Sequence, residues 1–427
     1  MQDDEHSTLE LDPLATGSET RPACLTVVHT PDPAAHGRST WLGEEAELRI
    51  GRSPEGGLTV SDPRVSRIQF RIAWDARQGR HRVTDSGSRN GTFLNGKATD
   101  SSVLNPGDVL RAGDSLFVFD HGDLMAERRS DAERAARSVL PVLLQGATGT
   151  GKELMARFVH DASGRTGNFV PVNCAALPRE LLAAELFGHT RGAFSGAAGH
   201  RAGLFAAAEG GTLFLDEIGD MPIELQPALL RAVELRTIRP VGSDGEIAVD
   251  TRIVAATNVD LEIASKVGRF RHDLQARLAQ IVINVPPLTA RRREILGLTR
   301  SLAAKEGKSL EIDSDAAEAL LLWDWPKNVR ELESVVRSLL LLRKSERLGL
   351  LDLKSVRPQL HDHLKGQRSE SSATQLPSSG NPLADRERLR QMLERAEGNV
   401  SQVARDLGTT RAQVYRWMKR LGVGPKE

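Results

Sequence analysis

Two cysteines in 427 residues, Cys24 and Cys174, are too few for a disulfide framework, and their spacing supports no zinc site. Aromatic residues make up 4% of the chain, with a single tyrosine, Tyr415. An excess of charge is missing too. The 57 basic residues balance 57 acidic ones, which excludes a uniformly basic nucleic-acid coat and confines any DNA contact to a local patch. No apolar run reaches membrane-spanning length, and the acidic, polar N-terminus lacks the charged-then-apolar pattern of a secretion signal. These absences lead us to expect a cytoplasmic protein with no membrane partner. The length exceeds what one core can serve and suggests roughly two to four domains.

What is present centres on Leu143 to Gly219. Pro141 to Gln145 is a short apolar run suited to a buried parallel strand, and Gly146-Ala147-Thr148-Gly149-Thr150-Gly151-Lys152-Glu153 follows it. The glycines let the backbone curl so that its N–H groups face an anion, and a helix starting near Lys152 aims its N-terminus at the same point. Lys152 adds a full positive charge. Glu153 stands where the general P-loop pattern has Ser or Thr, so the usual magnesium hydroxyl is missing. Thr212 to Leu215 is a second apolar strand, which delivers Asp216 and Glu217 to its C-terminal end, where open α/β sheets bind ligands. Asp216 is the candidate ligand for Mg²⁺, and Glu217 is the group to polarise a water attacking ATP. A lone Gly-rich loop is often an ordinary turn; the acidic pair on a second strand sets this one apart.

Residues 1–22 are polar, acidic and rich in Gly, Ser and Pro, the composition of a disordered segment. From 23 to 122 short alternating runs separated by Gly, Asp, Asn and Pro predict an all-β sandwich. Within it, Gly51-Arg52-Ser53, Ser66-Arg67-Ile68-Gln69 and Asp85 to Gly96 resemble the forkhead-associated (FHA) family. The resemblance implies a phosphothreonine-binding domain in which Arg52 and Ser66 hold the phosphate, Arg67 and Arg89 flank it, and Asn90 fixes the peptide backbone. The chemistry is independently sensible, because a phosphate of about −1.5 to −2 charges suits guanidinium forks and hydroxyl donors. Gln69 replaces the family's usual histidine, which buttresses the loop.

Residues 123–138 read as a linker helix. From 139 to 362 the chain resembles the AAA+ module of bacterial enhancer-binding proteins, which activate sigma-54 RNA polymerase. Phe169 to Leu177, Glu185 to His189, Gly192 to Ala197, Ala255 to Asn258, Phe270 to Leu274, Pro286 to Leu288 and Trp325 to Leu332 all fall in family order. In that family Glu153 is the usual residue after the lysine. The resemblance implies an ATPase assembled as a hexamer, with residues 146–153 around ATP and Arg330 contacting it from a helical lid that begins near Thr289. It also implies that Asn173 is a switch partner of Glu217, that Asn258 senses the γ-phosphate, and that Arg271 and Arg277 are arginine fingers for a neighbouring subunit. Gly192, Ala193, Phe194, Ser195, Gly196 and Ala197 correspond to the loop whose aromatic tip touches sigma-54, with Ser195 replacing threonine. The lead-in before Pro141 is shorter than the family's.

Residues 363–383 have linker composition. Beyond them, 384–427 predict three helices, with Val400, Val403, Ala404 and Leu407 facing Val414, Met418 and Leu421 at helix-turn-helix spacing. This tail resembles the Fis-type domain, which implies enhancer DNA binding by Thr410, Arg411, Gln413, Tyr415, Arg416 and Lys419 on the basic third helix. The fold class expected is therefore multidomain: all-β sandwich, α/β P-loop ATPase with helical lid, all-α helix-turn-helix. The expected function is a sigma-54-dependent activator that uses ATP and Mg²⁺, binds enhancer DNA and answers to a phosphothreonine partner. A phosphopeptide-binding scaffold with a decayed ATPase is the alternative, opposed by the intact Lys152, Asp216, Glu217, Arg271 and Arg277.

Overall fold

The computed structural model describes residues 22–54, 57–194, 199–342, 347–364, 382–396, 398–407 and 411–423. The expected disordered start and the 363–383 linker lie almost wholly outside the described residues. The chain divides into two compact units, one built on Asp123–Pro287 with Pro326–Arg330, the other on Thr20–Gly122, Leu288–Trp325 and Glu331–Glu427.

The second unit opens with two antiparallel-rich sheets. One runs in the order β2 (Ser39–Leu42), β1 (Ala23–His29), β11 (Ser115–Asp120), β10 (Val109–Ala112), β7 (Thr92–Leu94), β8 (Lys97–Thr99). The other runs β4 (Leu58–Thr59), β3 (Leu48–Gly51), β5 (Phe70–Asp75), β6 (Arg80–Asp85), β9 (Ser101–Val103). Alternation builds the layer between them: Phe70 and Ile72 of β5 and Val83 of β6 are fully buried against Leu25, Val27 and Phe117. Phe70 and Phe117 meet edge to face at 5.6 Å and join the sheets.

The first unit is a parallel sheet in the order β13 (Phe169–Asn173), β14 (Thr212–Asp216), β17 (Arg252–Thr257), β12 (Val142–Gln145), β18 (Ile281–Asn284). Its strands read as continuous apolar runs because helices cover both faces. The register pairs Asn173 with Asp216 and Gln145 with Thr257, so the C-terminal ends form one rim. The helices are α1 (Leu124–Ala136), α2 (Lys152–Ala162), α3 (Arg179–Phe187), α4 (Leu204–Ala207), α5 (Gln226–Glu234), α6 (Leu261–Lys266) and α7 (His272–Leu278), with a small hairpin of β15 (Thr237–Ile238) and β16 (Ile247–Ala248).

The segment read as a linker helix is a structural part of this unit. Small side chains let α1 lie close, so Ala132 and Ala135 share a core with Val142, Leu144, Met155 and Ile281. Arg252, 4% exposed, donates to the carbonyls of Ala135 at 2.7 Å and Ala136 at 2.8 Å and so caps the end of α1. Burial pulls its guanidinium down to about 10, which still leaves it charged at neutral pH.

The lid region consists of α8 (Ile295–Lys305), α9 (Ser314–Leu322), α10 (Asn328–Leu342), α11 (Leu350–Val356) and α12 (358–364). It also holds a two-residue parallel pair that Leu/Ala/Arg periodicity alone did not suggest, β19 (Glu311–Ile312) with β20 (Arg347–Leu348). Three helices close the chain: α13 (Pro382–Arg395), α14 (Val400–Asp406) and α15 (Arg411–Leu421). Leu389, Leu393, Val400, Val403, Ala404, Val414, Trp417 and Met418 form their core, with Leu407 and Leu421 packed against it.

Candidate functional site

The phosphate cradle depends on close backbone approaches that only glycine permits. A Cβ on Gly149 would lie 2.2 Å from the Lys327 carbonyl oxygen, and one on Gly146 would lie 2.5 Å from that of Val285. Gly151 enters α2 at φ 101°, and no side chain caps the helix, so its N-terminal N–H groups are left for an anion. Lys152 is 8% exposed, and its Nζ donates to the carbonyls of Gly146 at 2.8 Å and Ala147 at 3.2 Å. Burial is the largest influence on its ammonium and lowers its pKa; Asp216 and Glu217 act to raise it, and Arg330 to lower it. Lys152 therefore feels the charge of the other three.

Thr148 at the loop tip is held from two sides. Asn258, following β17, donates to its hydroxyl at 3.0 Å, and Asn328 donates to its carbonyl at 3.0 Å. The Val329 N–H adds a 2.9 Å bond to the Gly149 carbonyl. Asn328 was not among the expected site residues. Its signal is its place after Trp325-Pro326, where a buried asparagine takes φ 52°, a conformation asparagine tolerates better than most residues.

Asp216 ends β14, and its Oδ1 accepts from the Glu217 N–H at 3.0 Å. Glu217 sits at φ 53°, ψ 45°, left-handed backbone that a glutamate rarely adopts. Asp216 and Glu217 offer the hard carboxylate oxygens that Mg²⁺ accepts when phosphates and water complete its shell, so the residues present fit that ion. Asn173 lies beside Asp216 in register, and its Oδ1 accepts from the Ala175 N–H at 2.8 Å. A hydrogen bond from Asn173 to Glu217, implied by the resemblance, is not among those of the described residues.

Arg271 and Arg277 bracket α7. Arg271 pairs with Asp273 at 2.7 Å and Arg277 with Glu234 at 2.6 Å, and both side chains remain more than two-fifths exposed. Neither is bonded to the P-loop of its own chain among the described residues. Gln226, fully buried, fixes the approach to α7: its Oε1 accepts from the Arg271 N–H at 2.7 Å while Nε2 donates to the carbonyls of Met221 and Arg269. No short-range pattern marks this glutamine.

Of the 192–197 loop, Gly192, Ala193 and Phe194 are described; Ser195, Gly196 and Ala197 lie outside the described residues. The base is a tight crossing in which His189 exchanges backbone hydrogen bonds with Arg201, and a Cβ on Gly203 would come 2.4 Å from the Gly188 nitrogen. Phe194 is partly buried and meets the His189 ring edge-on at 5.1 Å.

On the sandwich, Arg52, Ser66, Arg67, Arg89 and Asn90 line one cleft of roughly 770 Å³, together with Ser53 and Arg64, which were not expected. Gly51 makes it possible. A Cβ there would lie 2.1 Å from the Arg67 carbonyl oxygen, so only glycine lets Arg52 N–H reach the Ser66 carbonyl at 2.9 Å. Ser66 Oγ accepts from the Arg89 N–H at 3.1 Å, and Asn90 Nδ2 donates to the Arg64 carbonyl at 2.7 Å. Gln69, fully buried, does the buttressing: Oε1 accepts from the Ser66 N–H and Nε2 donates to the Gly91 carbonyl, each at 2.9 Å.

In the last three helices Arg411 opens α15 and Tyr415 is 55% exposed on it. Thr410 and the side chains of Gln413, Arg416 and Lys419 lie outside the described residues. Trp417, missed in the sequence reading, completes the core one turn after Val414.

A parallel sheet whose rim brings together a glycine cradle, a lysine and an acidic pair defines a P-loop nucleotide-binding domain of the AAA+ class. Comparison with known proteins agrees: the sigma-54 interaction domain family matches residues 118–284 and the AAA+ ATPase lid domain family residues 290–372. The FHA domain family matches 48–113, and the Fis family of bacterial regulatory proteins matches 382–421. The chain is 40% identical over 311 residues to the transcriptional regulatory protein GlrR of Escherichia coli (strain K12), spanning 71% of this chain and 67% of that protein. It is 40% identical over 309 residues to the response regulator protein PilR of Pseudomonas aeruginosa, spanning 70% and 68%. With the regulatory protein LuxO of Vibrio cholerae it shares 38% over 330 residues, spanning 73% and 62%. The crystal structure of NtrX from Brucella abortus in complex with ATP is similar at a TM-score of 0.51 and 31% identity, covering 71% of this chain and 68% of that one. The chain belongs to the sigma-54-dependent transcriptional activators, the bacterial enhancer-binding proteins of the AAA+ family, with an FHA domain before the sigma-54 interaction domain and a Fis-type helix-turn-helix after it. Among the described residues no helix is long and apolar enough to cross a membrane.

Proposed function

We propose that this protein hydrolyses ATP in a ring of its own copies, a hexamer, and uses the energy to remodel sigma-54 RNA polymerase at promoters whose enhancers its C-terminal domain binds. The observation that carries the reading is the convergence of Lys152, Asp216, Glu217 and Arg330 on one rim, with Asn258 and Asn328 tying down Thr148. Lys152 and the N–H groups of residues 146–151 would hold the β- and γ-phosphates. Asp216 would hold Mg²⁺, which supplies charge neutralisation on the phosphates. Glu217 would orient the attacking water, and Asn258, already bonded to the P-loop, would report the γ-phosphate. Arg271 and Arg277 would release Asp273 and Glu234 to reach a neighbour's nucleotide, a contribution worth about 10³ to 10⁵ in rate for arginine fingers elsewhere. Phe194 would leave His189 to engage sigma-54.

The input would be a phosphothreonine on a partner protein, taken by Arg52, Ser66, Arg67 and Arg89 in the preformed cleft. Transcription in vitro from a sigma-54 promoter tests the whole assignment. Wild type should open the promoter in an ATP-dependent manner, and Glu217→Gln should bind ATP yet neither hydrolyse it nor open DNA. Equal hydrolysis by Glu217→Gln and wild type would reject the site, and a scaffold with an inert ATPase would show nucleotide-independent phosphopeptide binding alone.

A further inference from the structure

Helix α9 buries most of its circumference: Ala316, Ala317, Ala319, Leu320, Leu321 and Leu322 are all buried, and so are Ser314 and Glu318. A helix of that kind needs partners on two faces. The lid core supplies one, and the sandwich supplies the other. Arg111 at the end of β10 places Nη1 2.6 Å from Asp315 and 2.6 Å from Glu318, whose side chain is 1% exposed. One turn away, Ser314 Oγ donates to the Asp114 carbonyl at 2.9 Å. Arg300 on α8 lies 3.2 Å from His36, and Arg292 reaches the Gly107 carbonyl at 3.5 Å. A carboxylate buried to this degree is tolerated only while a cation stays paired with it. Arg111 supplies Glu318 with that cation from the sandwich side.

We propose that the face of the FHA domain carrying Arg111 and Asp114 is a docking surface for the lid of its own chain, and that this docking restrains the lid during ATP turnover. The chain leaving α9 runs directly into Pro326–Arg330, the segment that bonds the P-loop through Asn328 and Val329. Trp325 links the two, 1% exposed and donating from Nε1 to the Leu320 carbonyl of α9 at 2.9 Å. A helix held on its outer face by a second domain has less freedom to shift as the site opens and closes. The proposed phosphopeptide cleft and the lid contact lie on the same sandwich, which gives a signal at the first a route to the second.

The docking stands independently of the ATPase reading, whereas the restraint rests on it, so the test has two arms on the full-length protein. Arg111→Glu should raise amide hydrogen exchange in α9 at least tenfold, and the swapped pair Arg111→Glu with Glu318→Arg should return it toward wild type. Unchanged exchange in Arg111→Glu, or no rescue by the swap, overturns the docking. In the second arm Arg111→Glu should raise kcat for ATP at least threefold with KM within twofold, again reversed by the swap. An unchanged or lower kcat, with α9 exchange raised, overturns the restraint and leaves the docking in place. Absence of hydrolysis in wild type as well would fail the ATPase assignment instead.

Discussion

Asn258 and Thr148, more than a hundred residues apart in the chain, are joined by a 3.0 Å hydrogen bond from side-chain amide to hydroxyl. The bond fastens the end of β17 to the tip of the phosphate loop, so displacement of one moves the other. Asn258→Ala should therefore lower hydrolysis by about two orders of magnitude, in line with loss of one positioned polar group. Nucleotide affinity should change by under tenfold. Phosphate release and fluorescent-nucleotide titration measure the two, and an equal loss in both would make Asn258 a general binding residue.

Gln69 uses both ends of its amide to join the Ser66 turn to the Gly91–Thr92 segment. Gln69→Ala strands the part-buried Ser66 N–H and the buried Gly91 carbonyl, the latter at about 1–3 kcal/mol. Amide exchange around Ser66 and Gly91 should rise, and any phosphopeptide affinity should fall with it. Unchanged exchange would show the loops to be held by other bonds. Because an amide does not titrate, this buttress should also work equally at pH 5.5 and pH 8.

The lid contact should be pH-sensitive. His29 lies 3.4 Å from Ser314, and its ring is pulled down to about 4, first by burial, then by Arg300, His36 and Arg111, with Asp114 opposing. His36 is also lowered, by burial and then by Arg300. Release of the lid removes Arg300 and the lid's share of the burial, which lifts the ring toward its ordinary value of 6.5 and favours its taking up a proton. Docking is thus at full strength above about pH 6.5 and weakens as pH falls toward 4. Exchange of α9, corrected for intrinsic rates, should rise between pH 7.5 and pH 5, and His29→Gln should remove more than half of that rise. A pH dependence identical in the variant would assign it elsewhere.

Arg411 and Tyr415 lie one turn apart on α15, along the flank of the core stripe formed by Val414, Trp417 and Met418. Arg411→Ala should weaken specific DNA binding by about 1–3 kcal/mol, and footprints should show paired half-sites about 34 Å apart or a multiple of it. Mobility shifts unchanged at moderate salt would exclude α15 as the reading helix.

What could be read ahead of the structure was what a short window of sequence encodes. The glycines around Lys152, the acidic pair after β14 and the alternation of β5 are local patterns, and each stands where it was expected. Gln226 and the Arg111–Glu318 pair were invisible because their partners are distant in sequence and nothing local announces them, and Asn328 had only its place after Trp325-Pro326 to mark it. The helix expected at 123–138 is present as α1, but its packing into the sheet unit was not legible for a related reason: its buried alanines carry little amphipathic signal, and its anchor, Arg252, sits on a strand far downstream.

Glu217 carries a further implication for how this protein can change over time. Its left-handed backbone suits asparagine or glycine better than glutamate, by an amount on the order of 1 kcal/mol. Mutational drift that rewarded thermal endurance alone would replace it, and Glu217→Asn should melt no lower than wild type while losing ATP turnover. On the mechanism proposed above, a lineage that keeps glutamate there is held by its chemistry against the preference of its own backbone.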